Sequence, residues 1–466
     1  MKRLTRAILD DYEIERSAPD RLCAVQFGDD AVLVGLVDRL IDDANRRGAN
    51  VGVAVVQAGT AGFAKELKEQ DGLFTAFVRG ERGDQPVQRE QVVQSILRAL
   101  DPDADDAALM ALARDPGIAF AILHEDEAGE FPERDAACAA LAARFLVERW
   151  RAGMPGMALI ACGDSADCAD RLRARIASFA QAWRAGESFL AWLSDCRFFP
   201  ALADCLVVRS GAEEAARLCG EMNYRDAMIH LAEPYGLWAI QADEAFRAAF
   251  PLADLCGQIQ FVDDLARPLL YKHRLFDAGL FAMAALGCLH GDETLAECMK
   301  DEPLRELVGR AVLDEILPFL PLSREEAAPY VIDCFERYAN PMNDNAILTS
   351  ARGLIHKFNA GVLPAVRAFA AEHFRPPEKL TVALAATVLL YADARRADGR
   401  WETVVGQETR ELHESPDVME AFSRLSSDMD PESLAYAVLS DRELWNGADL
   451  RKIDGLPEML SENLAG

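Results

Sequence analysis

The sequence predicts an α/β protein: an N-terminal Rossmann-like, doubly wound domain followed by a mostly α-helical C-terminal domain. Two observations carry this. Short apolar runs alternate with amphipathic helical patterns through the first half, as a parallel sheet covered on both faces requires. Beyond about residue 245 the strand signals stop and helical periodicity continues. The expected domains are therefore 1–245 and 246–466, with no Pro/Gly/Ser-rich linker to sharpen the boundary.

The first strand candidate is RLCAVQFG (21–28), followed by DDAVLVGLVDRLIDDANRRG (29–48), an amphipathic helix with an acidic start. NVGVAVVQAG (50–59) is a second strand. Helices are expected at REQVVQSILRAL (89–100) and DDAALMALARD (105–115), then a strand at GIAFAILHE (117–125). AACAALAARFLVERWRAG (136–153) reads as a helix and GMALIACGD (156–164) as a strand. In the second half helical patterns cover 266–290, 303–320, 324–339, 346–373 and 378–396. No internal repeat or low-complexity tract interrupts them.

The bulk properties narrow the function. At 466 residues the chain can bury a large core, and its net charge of −28 argues against nucleic acid or an anionic membrane as partner. The N-terminal stretch MKRLTRAILDDYEIERS lacks an apolar signal core, and no run of eighteen apolar residues occurs, so a cytoplasmic chain is expected. The 11 cysteines are scattered without a C-x-x-C pair, which reads as reduced core residues and gives no metal site.

A nucleotide-binding βα unit needs a glycine-rich turn, so that backbone can approach the pyrophosphate at the helix N-terminus. Here the turn is QFGDDAVLVG: Gly28 is in place, whereas Asp29 and Asp30 occupy the helix start. Their carboxylates complement the helix dipole themselves and oppose a phosphate there. The acidic run HEDE (124–127) reads as a solvated loop, DPDADD (101–106) as a helix-capping turn, and His230 as a structural histidine.

The stretch RPLLYKHRLFDAGLFAMAALGCLHG (267–291) reads as a buried helix that nevertheless carries Lys272, Arg274 and Asp277. Buried charges need partners, which makes Asp277 the expected ion-pair partner of Lys272. On an ideal α-helix the two lie about 140° apart, on one broad face. Arg274 reads equally as a snorkelling or a phosphate-facing side chain.

Several stretches together resemble the long-chain polyol dehydrogenases, the mannitol dehydrogenase family, nearest its tagaturonate reductase (altronate oxidoreductase) branch. They include QFG with Val37-Asp38, QDGLFTAFVRG (70–80), Glu127-Ala128-Gly129, AEPYGLW (232–238), Val262-Asp263-Asp264, the Lys272 helix, Asn340-Pro341 and Lys357-Phe358. The resemblance spans roughly residues 20–365. It implies NAD or NADP at Gly28, Asp30 and Glu127, and a polyol or sugar-acid substrate held by Arg337 and Lys357. Catalytic chemistry is implied at Lys272 and Asp277.

The sequence departs from the family where the chemistry lies. The G-x-G-N-x-x-R turn is replaced by Gly28, Asp30, Ala31 and Val34, and a C-E-x-x-x-x-N segment by Cys162, Gly163 and Cys168. The helix pattern of Lys, Asn and His becomes Lys272, Asp277 and Leu280. An ionised Asp277 cannot donate to a developing alkoxide and favours the charged form of Lys272. Three readings stay open: an oxidoreductase of hexuronates or polyols with impaired redox activity; a non-catalytic relative that binds a sugar acid or pairs with an active paralogue; or a cofactor-free isomerase using Lys272 and Asp277.

Overall fold

The computed structural model describes residues 1–83, 85–125, 132–341 and 347–466. They form two compact units, meeting in sequence between Leu269 and Leu270.

The first unit is built on an eight-stranded sheet. Its strands are β1 Leu22–Phe27, β2 Gly52–Val56, β3 Ile96–Leu100, β4 Phe120–His124, β5 Ala158–Cys162, β6 Arg197–Asp204, β7 Leu237–Ile240 and β8 Ile259–Phe261. Their spatial order is 3-2-1-4-5-6-7-8, parallel from β3 through β6, with β7 antiparallel to β6 and β8 parallel to β7. The first six strands have the doubly wound dinucleotide-fold order, whose reversal between β1 and β4 opens a crevice at the strand C-termini.

Alternating residues explain why the strands are apolar throughout. Ala24, Val53, Val55 and Ile122 enter one core, while Val25, Ala54, Val56 and Leu123 enter the other. Helices 31–45 and 132–151 follow β1 and β4. Because β8 completes this sheet, the unit extends past the expected boundary at 245.

One helix expectation is overturned. REQVVQSILRAL is extended: its first half belongs to strand Gln85–Val93 and its end is β3. Gln85–Val93 pairs antiparallel with Phe74–Arg82 in a second sheet, from Phe74↔Val93 to Arg82↔Gln85. The apolar positions 92, 93, 96 and 100 suit a helix face as well as two short strands, and the long hairpin ladder decided between them.

The second unit is mainly helical. A continuous helix spans 266–290 and contains a π-helical stretch, Lys272–Asp277. A second spans 354–373, with the π-helical stretch Phe358–Val362. The helix Glu378–Ala392 buries Leu380, Leu384, Val388 and Tyr391. A three-stranded antiparallel sheet follows, made of Arg395–Ala397, Arg400–Val405 and Glu408–Leu412, where only helical continuation was expected. Among the described residues, no helix is long and apolar enough to cross a membrane. All eleven cysteines are free and buried.

Candidate functional site

In the first unit the strand C-termini bring Gly28, Asp29, Asp30, Glu125 and Cys162 to the crevice end of the sheet. Gly28 has φ +121°, a conformation glycine adopts without strain, and its N–H donates to the Val56 carbonyl at 3.0 Å. Asp30 caps the following helix: its Oδ1 accepts from the N–H groups of Val32 and Leu33, both at 3.0 Å. Asp29 turns aside and accepts from Thr60 N–H at 2.8 Å. The amides that a phosphate would use are thus satisfied by the chain's own carboxylate. Val34 is fully buried in the core beneath.

Below the turn, Gln26 Nε2 donates to Asp38 Oδ2 at 3.2 Å. Burial raises the Asp38 carboxyl well above its ordinary range despite that bond, and nearby Asp30 adds to the effect. His230 is buried against Phe74 and bonded at Nδ1 to the Met228 carbonyl; burial pushes it down to about 4, which makes it a neutral core residue.

The expectation of a solvated loop at 124–127 fails at Glu125. This carboxylate is fully buried, 3.6 Å from Arg171 and 3.3 Å from Arg175. The two arginines, four apart on helix Cys168–Ala182, were the sequence signal for this pairing. Gly163 is required by close packing, since a Cβ there would lie 2.2 Å from the Glu125 carbonyl oxygen. The Cys168 thiol donates to the Ala161 carbonyl at 3.3 Å and is pushed up to about 11 by burial. Glu127 lies outside the described residues.

In the second unit Lys272 Nζ donates to both oxygens of Asp277, at 2.9 and 3.0 Å. The π-helical stretch makes this possible. Its i→i+5 ladder brings residues five apart close together, whereas an α-helix would separate them by about 140°. His273 Nδ1 lies 3.3 Å from Asp277 Oδ2. Burial alone would raise the Asp277 carboxyl. The charges of Lys272 and Lys357, with His273, overcome it and hold the group well below the usual carboxylate range.

Lys357 reaches this cluster because the two π-helical stretches pack closely. A Cβ at Gly361 would lie 2.1 Å from the His273 carbonyl oxygen. His356 follows, with its ring 6.4 Å from that of His273. Arg337 is buried and stacks on Phe276, its guanidinium 3.6 Å from the ring centroid; the Lys272 ammonium lies 5.6 Å from the same centroid. Tyr338 donates to the Phe276 carbonyl at 2.6 Å, an approach open only because residue 279 is glycine. Arg274 is half-buried, and its Nε has no hydrogen-bond partner among the described residues.

The structure therefore brings Lys272, Asp277, Arg337 and Lys357 together in one unit. His273 and His356 were missed by sequence reasoning; their adjacency to Lys272 and Lys357 was the available signal. Leu280 is buried and offers no polar group.

Residues 269–465 match the mannitol dehydrogenase C-terminal domain. The altronate oxidoreductase of Bacillus subtilis is 27% identical over 484 residues, covering 99% of this chain and 95% of that protein. The altronate oxidoreductase of Klebsiella pneumoniae strain 342 is 29% identical over 462 residues, covering 96% and 94%. The helical unit carries the mannitol dehydrogenase C-terminal domain. Along its length the chain resembles the altronate oxidoreductases. A solved Pseudomonas fluorescens mannitol 2-dehydrogenase, in ternary complex with NAD and D-mannitol, superimposes with a TM-score of 0.78 at 17% identity, covering 100% of this chain and 96% of that one. A substrate-free D-sorbitol dehydrogenase gives 0.71 at 18%, covering 98% and 97%. Both neighbours share the fold of this chain.

Proposed function

We propose that this chain binds a small sugar acid, a hexuronate or aldonate, in its helical unit, and that it has lost most nicotinamide-dependent hydride transfer. The observation that carries the reading is the cluster of Lys272, His273 and Lys357 at the Asp277 carboxylate, with Arg337 stacked on the adjoining Phe276. In a chain of net charge −28, a half-buried cluster of basic groups supports a site for an anion. Lys357 and Arg337 are assigned to the ligand carboxylate, and Lys272 to a neighbouring oxygen.

NAD or NADP is the family cofactor, and its pyrophosphate does not fit the turn after β1. Asp30 already occupies the helix amides, and a phosphate there would meet two carboxylates. The chemistry at the other end is weakened as well. A carboxylate replaces the amide that would donate to a developing oxyanion, a loss of about 10²–10³ in rate. An ammonium bound by both oxygens of Asp277 also holds its proton firmly. Cofactor-free isomerisation needs a carboxylate free to take a proton from carbon, and both Asp277 oxygens are engaged.

Binding of D-altronate, D-gluconate or D-glucuronate raises the melting temperature on this reading, because the ligand binds only the folded state. Lys357→Ala abolishes the shift. A panel of hexuronates, aldonates and polyols without any shift would defeat it. Partnership with an active paralogue is a further part of the proposal, tested by co-purification with an intact family member.

A further inference from the structure

Segment 413–415 closes on the start of the helix 354–373. Gly353 opens this helix in the left-handed region, φ +68°, and supplies no side-chain cap. Its N–H donates to the His413 carbonyl at 2.8 Å. Glu414 supplies the missing acceptor from far along the chain: its carboxylate takes the Ile355 N–H at 2.8 Å and the Ser415 N–H at 3.2 Å. The glutamate is buried, and the Lys357 ammonium two residues beyond Ile355 acts on it as well as on Asp277.

We propose that Glu414 is a positioning residue that fixes the turn carrying Lys357 and competes with an anionic ligand for the Lys357 ammonium. This rests on the sugar-acid reading of the cluster given above. Among the described residues, Lys357 acts on Glu414 from the helix it caps while its ammonium donates to the Arg352 carbonyl, and Tyr391 comes from helix Glu378–Ala392, with a hydrogen bond to the carboxyl. His413 adjoins it in sequence, and Arg352 acts on His413. Burial pushes Glu414 up to about 7, against the pull of the two amides, Lys357 and Tyr391. Near neutral pH the group therefore exchanges between acid and carboxylate.

The consequence is a coupling between proton and ligand. When Glu414 is ionised it attracts the Lys357 ammonium, which is held by the Arg352 carbonyl. When it is protonated, that charge is available to the ligand, whose own carboxylate stays ionised throughout this range. Anion binding and proton uptake then favour one another reciprocally.

The test uses D-gluconate as the probe with the full chain. Calorimetry from pH 6 to pH 8, in buffers of different ionisation enthalpy, reads affinity and proton uptake together. The wild type binds about five- to tenfold more tightly at the lower pH and takes up a proton. Glu414→Gln, which keeps an acceptor for Ile355, shows neither effect. Ligand-free melting profiles supply a second measurement. Relative to Glu414→Gln, the wild type loses stability as pH rises from about 5 to 8, because its folded carboxyl resists ionisation. In a Lys357→Met background that loss extends to higher pH. Identical pH profiles of gluconate binding in wild type and Glu414→Gln would overturn the proposal, as would a melting difference indifferent to pH or to Lys357. Absence of gluconate binding at every pH would defeat the sugar-acid reading and the competition with it. If the melting profiles still shift with Lys357, that failure lies in the ligand rather than in the Glu414–Lys357 coupling.

Discussion

The turn after β1 and the π-helical stretch 272–277 each carry an aspartate where the family pattern has none, and the two aspartates act oppositely. Asp30 sits at the positive end of a helix and satisfies its amides, so it closes an anion site. Asp277 sits among cations. It binds the Lys272 ammonium with both oxygens and feels the charge of Lys357, so on the proposed reading it trims an anion site without closing it. On the proposed reading the same side chain opposes a phosphate in one place and helps organise a carboxylate site in the other. What decides is the charge already present around it.

The largest effect expected from breaking this contrast is a gain of activity. Asp277→Asn with Leu280→His remains without turnover. Adding Asp30→Gly and Ala31→Asn brings tagaturonate-dependent loss of nicotinamide absorbance at least about a hundredfold above the parent, since the restored donor and the positioned cofactor act together. Val34 is left in place, because an arginine there would be buried in the core without a partner. Turnover in the two-site variant alone would mean that Asp30 tolerates a pyrophosphate.

The next effect concerns stability. Asp277→Ala takes the carboxylate away from Lys272, only 15% exposed, and costs about 3 kcal/mol, read from the midpoint of urea unfolding. Because the folded Asp277 carboxyl is held below its ordinary range, its contribution is present above about pH 4 and disappears as pH falls further. A variant of unchanged stability at neutral pH would show that the pair is merely tolerated. Asp30→Ala is milder: loss of the cap costs about 1 kcal/mol and leaves gluconate binding unchanged.

The two regions also differed in how far the sequence disclosed them. Alternating apolar runs located β1, β2, β4 and β5, and the acidic start at 29–30 exposed the capped helix before any geometry was known. The Lys272–Asp277 pairing followed from the cost of a buried charge. The π-helical stretch that closes it has no residue signature, so the contact geometry could not be derived. The hairpin 74–93 was hidden because its apolar spacing suits two periods, and the sheet 395–412 because its strands are short and rich in charge. Glu414 reaches the Lys357 helix across about sixty residues of sequence, a contact that only tertiary packing creates.

Calorimetric titration of the purified chain with NADH, in the presence of D-altronate, tests most directly whether the dinucleotide site is closed. The occupied helix amides predict no saturable heat up to millimolar dinucleotide. A dissociation constant in the low micromolar range would contradict the reading of Asp30 and return the chain to the working dehydrogenases of its family.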